Sequence, residues 1–443
     1  MSKLLALPFR LALAWTTLSL AQAAERPDFS PHPNDKQLPR AMHTAMKERP
    51  LLTVGQKDAA LLGTDNRVLQ AAVDYVAALG GGTVVIGPGE FLMRDSLHLR
   101  SFVTVRGTPG QTVLRKAKVA VSKLALDGDF GEEQITLAQP EGFEVGDGVA
   151  VWDSNAGGFH TTVARITGRN GHTFALDTPL NADCMVDKQA QAATVFAVVS
   201  GQHLEGARVE DLIIEGNKSE NVGLNGCRGG GIFLYRGFGT VIERCVVRNF
   251  HGDGISFQQS NDVEVRSSIC EDNAGLGLHP GSGSQRAVVR ECVARRNGED
   301  GLFLCWRVRH GLFEKNILED NGRFGISIGH KDTDNLLRDN QVRSNRQDGV
   351  FFRNEALGMA GHRNRIEANV IENNGQKEAA AGIRVRGETK DLVFRDNIIR
   401  DTRGPGSRKQ AVGIQIEEHV GTLLLESNII DAVTPIQDRR KTP

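Results

Sequence analysis

Glycines one coil apart, asparagines in step with them and short alternating apolar triplets behind each glycine predict an all-β chain. The fold they predict is a right-handed parallel β-helix with an N-terminal capping helix and a small antiparallel β insertion. The glycines are Gly231, Gly254, Gly277, Gly301, Gly325 and Gly349, in steps of 23, 23, 24, 24 and 24, followed after longer steps by Gly382 and Gly413. Asn249, Asn273, Asn297, Asn321 and Asn345 repeat every 24 residues. Behind the glycines stand Ile232-Phe233-Leu234, Ile255-Ser256-Phe257, Leu302-Phe303-Leu304, Ile326-Ser327-Ile328, Val350-Phe351-Phe352, Ile383-Arg384-Val385 and Ile414-Gln415-Ile416. Their first and third residues point inward and the middle one outward, a period of two that belongs to strands. About two dozen residues per coil suit three short strands and three turns.

Residues 1–23 carry Lys3 and Arg10, an apolar run from Leu11 to Leu20 and Ala21-Gln22-Ala23, and read as a signal peptide cleaved near Ala23. The mature protein is expected to be exported, to the periplasm or beyond. No cysteine follows the apolar run, so no lipid anchor is expected, and no later segment is long and apolar enough to span a bilayer. Residues 24–52, punctuated by proline, read as a linker or surface strap. The span 53–127 holds the cap helix and first coils. Val68, Leu69, Ala72, Val73, Val76 and Leu79 follow helical spacing behind a Thr64 cap, and Gly80-Gly81-Gly82 stops the helix. Between 128 and 199 the rhythm is lost. Strand-like pieces at 134–137, 148–152, 161–166 and 173–176 make a β-rich insertion, of the kind that walls a solenoid's groove. Coils fill 200–435, and 436–443 is a C-terminal tail.

The asparagines have a structural explanation. Asn tolerates the left-handed conformation, and stacked amides bond to one another along a solenoid. Asn316, Asn340, Asn369, Asn397 and Asn428, preceded by Cys245, Ser268 and Cys292, form a second such column.

With 53 Lys and Arg against 54 Asp and Glu, nothing points to nucleic acid. Of six cysteines, Cys245 and Cys292 share a column but lie two coils apart, about 9–10 Å, beyond the roughly 7 Å limit for a disulfide. No compact carboxylate run matches a calcium loop, so no metal and no cofactor is assigned; Ca²⁺ has no sequence signature here. A monomer is expected.

The outward positions of the strand after each turn glycine stack about 4.8 Å apart. They form one charged face: Asp253, Gln258, His279, Asp300, Trp306, Arg307, His330, Lys331, Asp332, Asp348, Arg353, Glu355, Arg384 and Arg386. The three Asp-Gly aspartates, Asp253, Asp300 and Asp348, also suit their turns for backbone reasons. A long polymer along this face would meet several of these residues. Trp306, Asp253, Gln258, Arg384 and Arg386 are the candidate binders.

The cap helix with Gly80-Gly81-Gly82-Thr83-Val84-Val85-Ile86, followed by Gly-Ile-x-Leu coils, resembles the pectate-lyase-like right-handed β-helix superfamily over most of the chain. Leu276-Gly277-Leu278-His279-Pro280-Gly281-Ser282 and Asp300-Gly301-Leu302-Phe303-Leu304-Cys305-Trp306-Arg307-Val308 are laid out like the catalytic coils of alginate C5-epimerases. That resemblance implies the fold, a groove and a carbohydrate substrate. The family's Asp-Pro-His-Asp stands here as His279-Pro280-Gly281-Ser282, with Gly281 in the place of the catalytic histidine, which weighs against epimerase chemistry.

Two chemistries and one binding role fit the face. In β-elimination from a uronate polymer, cations such as Arg307, Arg353 and Lys331 neutralise the carboxylate while His279 or His330 removes the C5 proton. Glycoside hydrolysis instead needs two carboxyls about 5–5.5 Å or 6.5–9.5 Å apart; Asp332 with Glu355, or Asp253 with Asp300, are the candidates. A non-catalytic glycan-binding solenoid needs neither. The excess of cations favours an acidic, uronate-containing polysaccharide and elimination.

Overall fold

A computed structural model describes residues 48–376 and 379–440. The predicted signal peptide and most of the predicted strap lie outside them. Three long parallel sheets, of 13, 11 and 11 strands, run side by side along the chain. One coil shows the path: a first-sheet strand Ile255–Gln258, a second-sheet strand Glu264–Arg266, a third-sheet strand Ile269–Glu271, and then Leu278–Gly281 back on the first sheet. The coils are in register, with Val265 beside Val289, Cys270 beside Ala294 and Leu278 beside Leu302. Each coil sends Ile, Val, Leu, Phe or Cys inward, and the resulting core is buried from Val54 to Ile416.

The first strand, Leu51–Gly55, starts within the stretch read as a strap and pairs with Gly82–Ile86. The cap helix, α1, spans Asn66–Ala78 and lays Leu69, Ala72, Val73 and Val76 over the open first coils. Its N-cap is Asp65, not Thr64. The Asp65 carboxylate accepts the Arg67 N–H at 3.0 Å, and the chain turns out of the helix through Gly80 and Gly81 at positive φ. Between Val121 and Ala193 a six-stranded antiparallel sheet stands beside the coils with its own apolar core around Phe143, Val149 and Phe174.

The asparagine columns are continuous ladders. Asn297 donates its backbone and side-chain N–H groups to Asn321 Oδ1 at 3.2 and 3.0 Å and reaches back to the Cys270 carbonyl at 3.0 Å. The same pattern joins Asn273 through Asn345 to Asn374 and Gln410, and a second ladder runs from Asn316 to Asn428. Two details differ from expectation. The left-handed residue is the one before the ladder position, such as Asp272, Arg296, Asp320 and Ser344. Asn249 is itself such a residue; because that coil is 23 residues long, Phe250 occupies the ladder position and Asn249 turns to Glu215. The glycine column is explained by proximity: a Cβ on Gly277 would meet the Gly301 carbonyl at 2.7 Å and Asn297 Nδ2 at 2.8 Å.

Asn297 and Asn321 are buried, with every polar atom engaged. Asn297→Leu or Asn321→Leu is therefore expected to strand backbone groups on both neighbouring coils and to cost about 1–3 kcal/mol for each group left unpaired, read as a lowered melting temperature. An unchanged transition would mean that water replaces the amide.

Candidate functional site

The first-sheet strands carry an outward column, Ser200, Phe233, Ser256, His279, Phe303, Ser327, Phe351 and Arg384, in adjacent coils. Outward does not mean exposed here. Segment 217–231 crosses the sheet over Ser256, whose hydroxyl donates to the Gly226 carbonyl at 2.5 Å, and the Arg353 guanidinium lies over Ser327, donating to its oxygen at 2.8 Å.

His279 sits at the wall of a cavity of about 540 Å³ shared with Leu224, Cys227, His251, Glu299, Cys305 and Trp306. Its Nδ1 is 2.7 Å from Asp253 Oδ2, while Nε2 is buried and has no hydrogen-bond partner among the described residues. Phe303 meets the ring edge-on, with centroids 5.3 Å apart. Asp253 is caged. Its other oxygen accepts the Leu276 N–H at 2.9 Å, and Cβ atoms on Gly226 or Gly275 would lie 1.7 and 2.4 Å from its carboxylate. Asp253 therefore fixes the imidazole from behind and is not a substrate binder. Gln258 is corrected likewise: it is buried and its amide donates to Ser256 Oγ at 2.9 Å. It also fills the space beside Gly281, where a Cβ would lie 2.4 Å from Gln258 Oε1, so a histidine cannot occupy that position without displacing it.

In the next two coils the chain leaves the strand through paired left-handed residues, Trp306-Arg307 and His330-Lys331. This repeated turn stacks the Trp306 and His330 rings, 5.1 Å apart and inclined by 28°. The two lie on one side of the solenoid, as the groove requires. His330 Nε2 pairs with Glu355 at 2.8 Å and Nδ1 meets Cys305 Sγ at 3.4 Å. Burial, with the Arg353 charge, holds the His330 imidazole below its ordinary value against the pull of Glu355. Arg307 is exposed with its guanidinium 5.8 Å from the Trp306 ring, and Lys331 is half-buried.

Arg353 is largely buried under Phe303, 4.6 Å from the ring centre, and bonds to Asp332 at 3.0 Å. Asp332 also accepts the Val308 and Gly329 N–H groups and is fully buried, and burial pushes its carboxyl up to about 7 against the pull of Arg353. Asp300 is fully buried too and accepts the Phe324 N–H at 3.1 Å. Neither carboxyl pair suits hydrolysis, because Asp300 and Asp332 are buried in the groove floor, and Asp253, though at the cavity wall, has its oxygens engaged by His279 and the Leu276 N–H. Glu355 and Glu299 are the carboxyls left near the cavity. Farther along, Arg384 is clamped on Asp348 at 2.8 and 3.1 Å, and Arg386 lies 5.8 Å from the Phe351 ring. Both line a separate hollow with Glu417 and Arg439, away from His279.

Asp300 offers a pH test. Burial pushes its carboxyl from 3.8 up to about 6, so its contribution favours folding at low pH and is lost as pH rises through that value. The loss is of order 3 kcal/mol between about pH 4 and about pH 8. Asp300→Asn is expected to flatten that part of the melting-temperature profile; an unaltered profile would place the pH dependence elsewhere.

Cys227, His251, Glu299 and Cys305 escaped the sequence reading because Cys227 lies in the irregular segment before the regular coils and the other three occupy turn positions of the repeat whose side-chain direction the strand alternation does not give. One signal was available: Gly223, Gly226, Gly229, Gly230 and Gly231 crowd one short run, as expected where backbone crosses a sheet closely.

Residues 203–356 and 305–434 match the model of the right handed beta helix region, and the chain belongs to that family. Among solved structures it is similar to the A-module of the Azotobacter vinelandii mannuronan C-5 epimerase, with 17% identity over 87% of this chain and 97% of that one and a TM-score of 0.53. It is also similar to the polygalacturonase of Erwinia carotovora ssp. carotovora, with 11% identity over 90% and 98% and a TM-score of 0.55. A third is the Dettilon tailspike protein, with 13% identity over 86% and 62% and a TM-score of 0.53. At these identities the likeness is one of fold. No curated protein matches the chain.

Proposed function

We propose that this protein is an exported enzyme acting on an acidic, uronate-containing polysaccharide bound along the first-sheet groove, with β-elimination as its chemistry. The observation that carries the reading is His279: one nitrogen is anchored on a caged carboxylate, and the other is unpartnered at a cavity wall. With Nδ1–H donated to Asp253, the Nε2 lone pair is the one available to accept a proton. A base that abstracts the C5 proton of a uronate needs its carboxylate neutralised, and Arg307 and Lys331 are the cations nearest Trp306 and His330 that carry no ion pair among the described residues. The C4–O bond breaks as the proton passes to His279 Nε2, the departing oxygen takes up a proton from water, and an unsaturated uronate is left. The fold's company supports a saccharide: the similar structures include an epimerase and a polygalacturonase.

The test is a panel of acidic and neutral polysaccharides, following the ultraviolet absorbance of unsaturated uronate alongside reducing ends. Elimination gives both signals. Reducing ends alone would favour hydrolysis through Glu299 or Glu355, and binding with neither signal would favour a glycan-binding solenoid. Arg307→Ala is expected to weaken both turnover and binding of the acidic polymer, with the loss larger at low salt, where exposed charges act at longer range.

A further inference from the structure

On the other side of segment 217–231 from His279 lies a second cavity of about 320 Å³, walled by the antiparallel insertion and lined by Asp95, His98, Arg165, Ser200, Gln202 and Arg228. Its floor is the start of the same outward column. His98 and Ser200 are register partners, and Ser200 precedes Phe233, Ser256 and His279. Ser200 Oγ is 3.2 Å from His98 Nδ1, and His98 Nε2 is 2.9 Å from Asp95 Oδ2. Arg165, from the insertion, donates to the same Asp95 oxygen at 2.6 Å and so locks the carboxylate in place. A hydroxyl, an imidazole and a carboxylate joined in series are the parts of a nucleophile activated by an oriented base. The ring is turned over relative to the usual arrangement, but roles follow from geometry: with Nε2–H donated to Asp95, Nδ1 is the acceptor facing the serine.

We propose that Ser200, His98 and Asp95 form a second catalytic site that hydrolyses small O-acyl esters. Ser200 Oγ attacks the acyl carbonyl carbon as its proton passes to His98 Nδ1. The ester C–O bond breaks, and the departing alcohol oxygen takes that proton. Water then adds to the acyl-serine, giving its proton to the same nitrogen, and Ser200 leaves with it as the carboxylic acid is released. The Gln202 amide and the Arg228 guanidinium line the same cavity and supply N–H donors for the charged oxygen. The cavity suits a short acyl group such as acetyl. Three coil steps, about 14 Å, separate Ser200 from His279, and segment 217–231 lies over Ser256 between them, so one polymer that passes over this segment presents a substituent to the first site while a backbone sugar reaches the second. This choice of substrate, an acyl-decorated polysaccharide, rests on the groove reading above; the ester chemistry does not.

The experiment uses the full-length exported protein with p-nitrophenyl acetate, an acetylated acidic polysaccharide and a fluorophosphonate probe. The wild type is expected to release p-nitrophenol and acetate and to carry the probe on the peptide containing Ser200. Ser200→Ala and His98→Gln are expected to lose hydrolysis by about 10²–10⁴-fold at unchanged melting temperature. A wild type that is neither labelled at Ser200 nor faster than Ser200→Ala overturns the proposal, whether or not the variants fold. Labelling and model-ester hydrolysis without acetate release from the polymer uphold the ester site and remove the polysaccharide reading.

Discussion

His279→Gln is expected to reduce formation of unsaturated uronate by about 10²–10⁴-fold while leaving the melting temperature close to that of the wild type. Glutamine keeps an N–H for the Asp253 carboxylate and most of the ring's volume, but it offers no nitrogen lone pair at the place of Nε2. Alanine is the less informative change, because it abandons a buried carboxylate to two glycines and one backbone N–H, and the cost of an unpaired buried charge would confound the readout. The companion variant Asp253→Asn retains an acceptor for Nδ1–H and is expected to lose activity partially. Full activity in His279→Gln would remove the base from this site and transfer attention to His330.

The largest effect on stability is expected from Arg353→Ala, at about 3–5 kcal/mol for the loss of three charge-assisted hydrogen bonds and the packing on Phe303. The guanidinium ties three coils together by donating to Leu304 O, Ser327 Oγ and Asp332 Oδ2, and its plane supports Phe303. Its removal leaves Asp332 with backbone N–H partners alone, and the carboxyl, no longer held down by the cation, takes up a proton. Denaturant titration of Arg353→Ala, Asp332→Asn and the double variant measures the coupling, and the double variant is expected to be more stable than the sum of the singles predicts. A loss below about 1 kcal/mol would class the contact with solvated surface pairs.

The coil architecture was legible because two independent columns, glycine and asparagine, report the same period, and both are imposed by close approach between neighbouring coils. The errors are of two kinds. Asn249 was assigned to the wrong position because spacing alone cannot distinguish a coil of 23 residues from one of 24 when the displaced residue is also an asparagine. The aspartates of the face were assigned outward because a period of two gives direction but not cover. The cover comes from segment 217–231 and from long side chains such as Arg353, neither of which has a periodic signature. The pairing of His98 with Ser200 was invisible for a topological reason: the insertion separates two adjacent coils by about a hundred positions in the chain.

Both ladders cross the irregular turns without interruption. Asn345 meets Asn374 after 29 residues, and Asn374 meets Gln410 after 36, with the same bond lengths as in the regular coils. Extra length is therefore looped out at the corners, between Phe352 and Arg365 in one coil and between Arg400 and Val412 in another, and the stack closes beneath each loop as though it were absent. Such a chain is a shelf of interchangeable tiles: the rims of the groove can be exchanged, lengthened or trimmed between relatives while the floor keeps its pitch. Such a build lets sequence and loop length change widely while the coils stay stacked, which accords with a fold shared with solved structures at 17% and 11% identity.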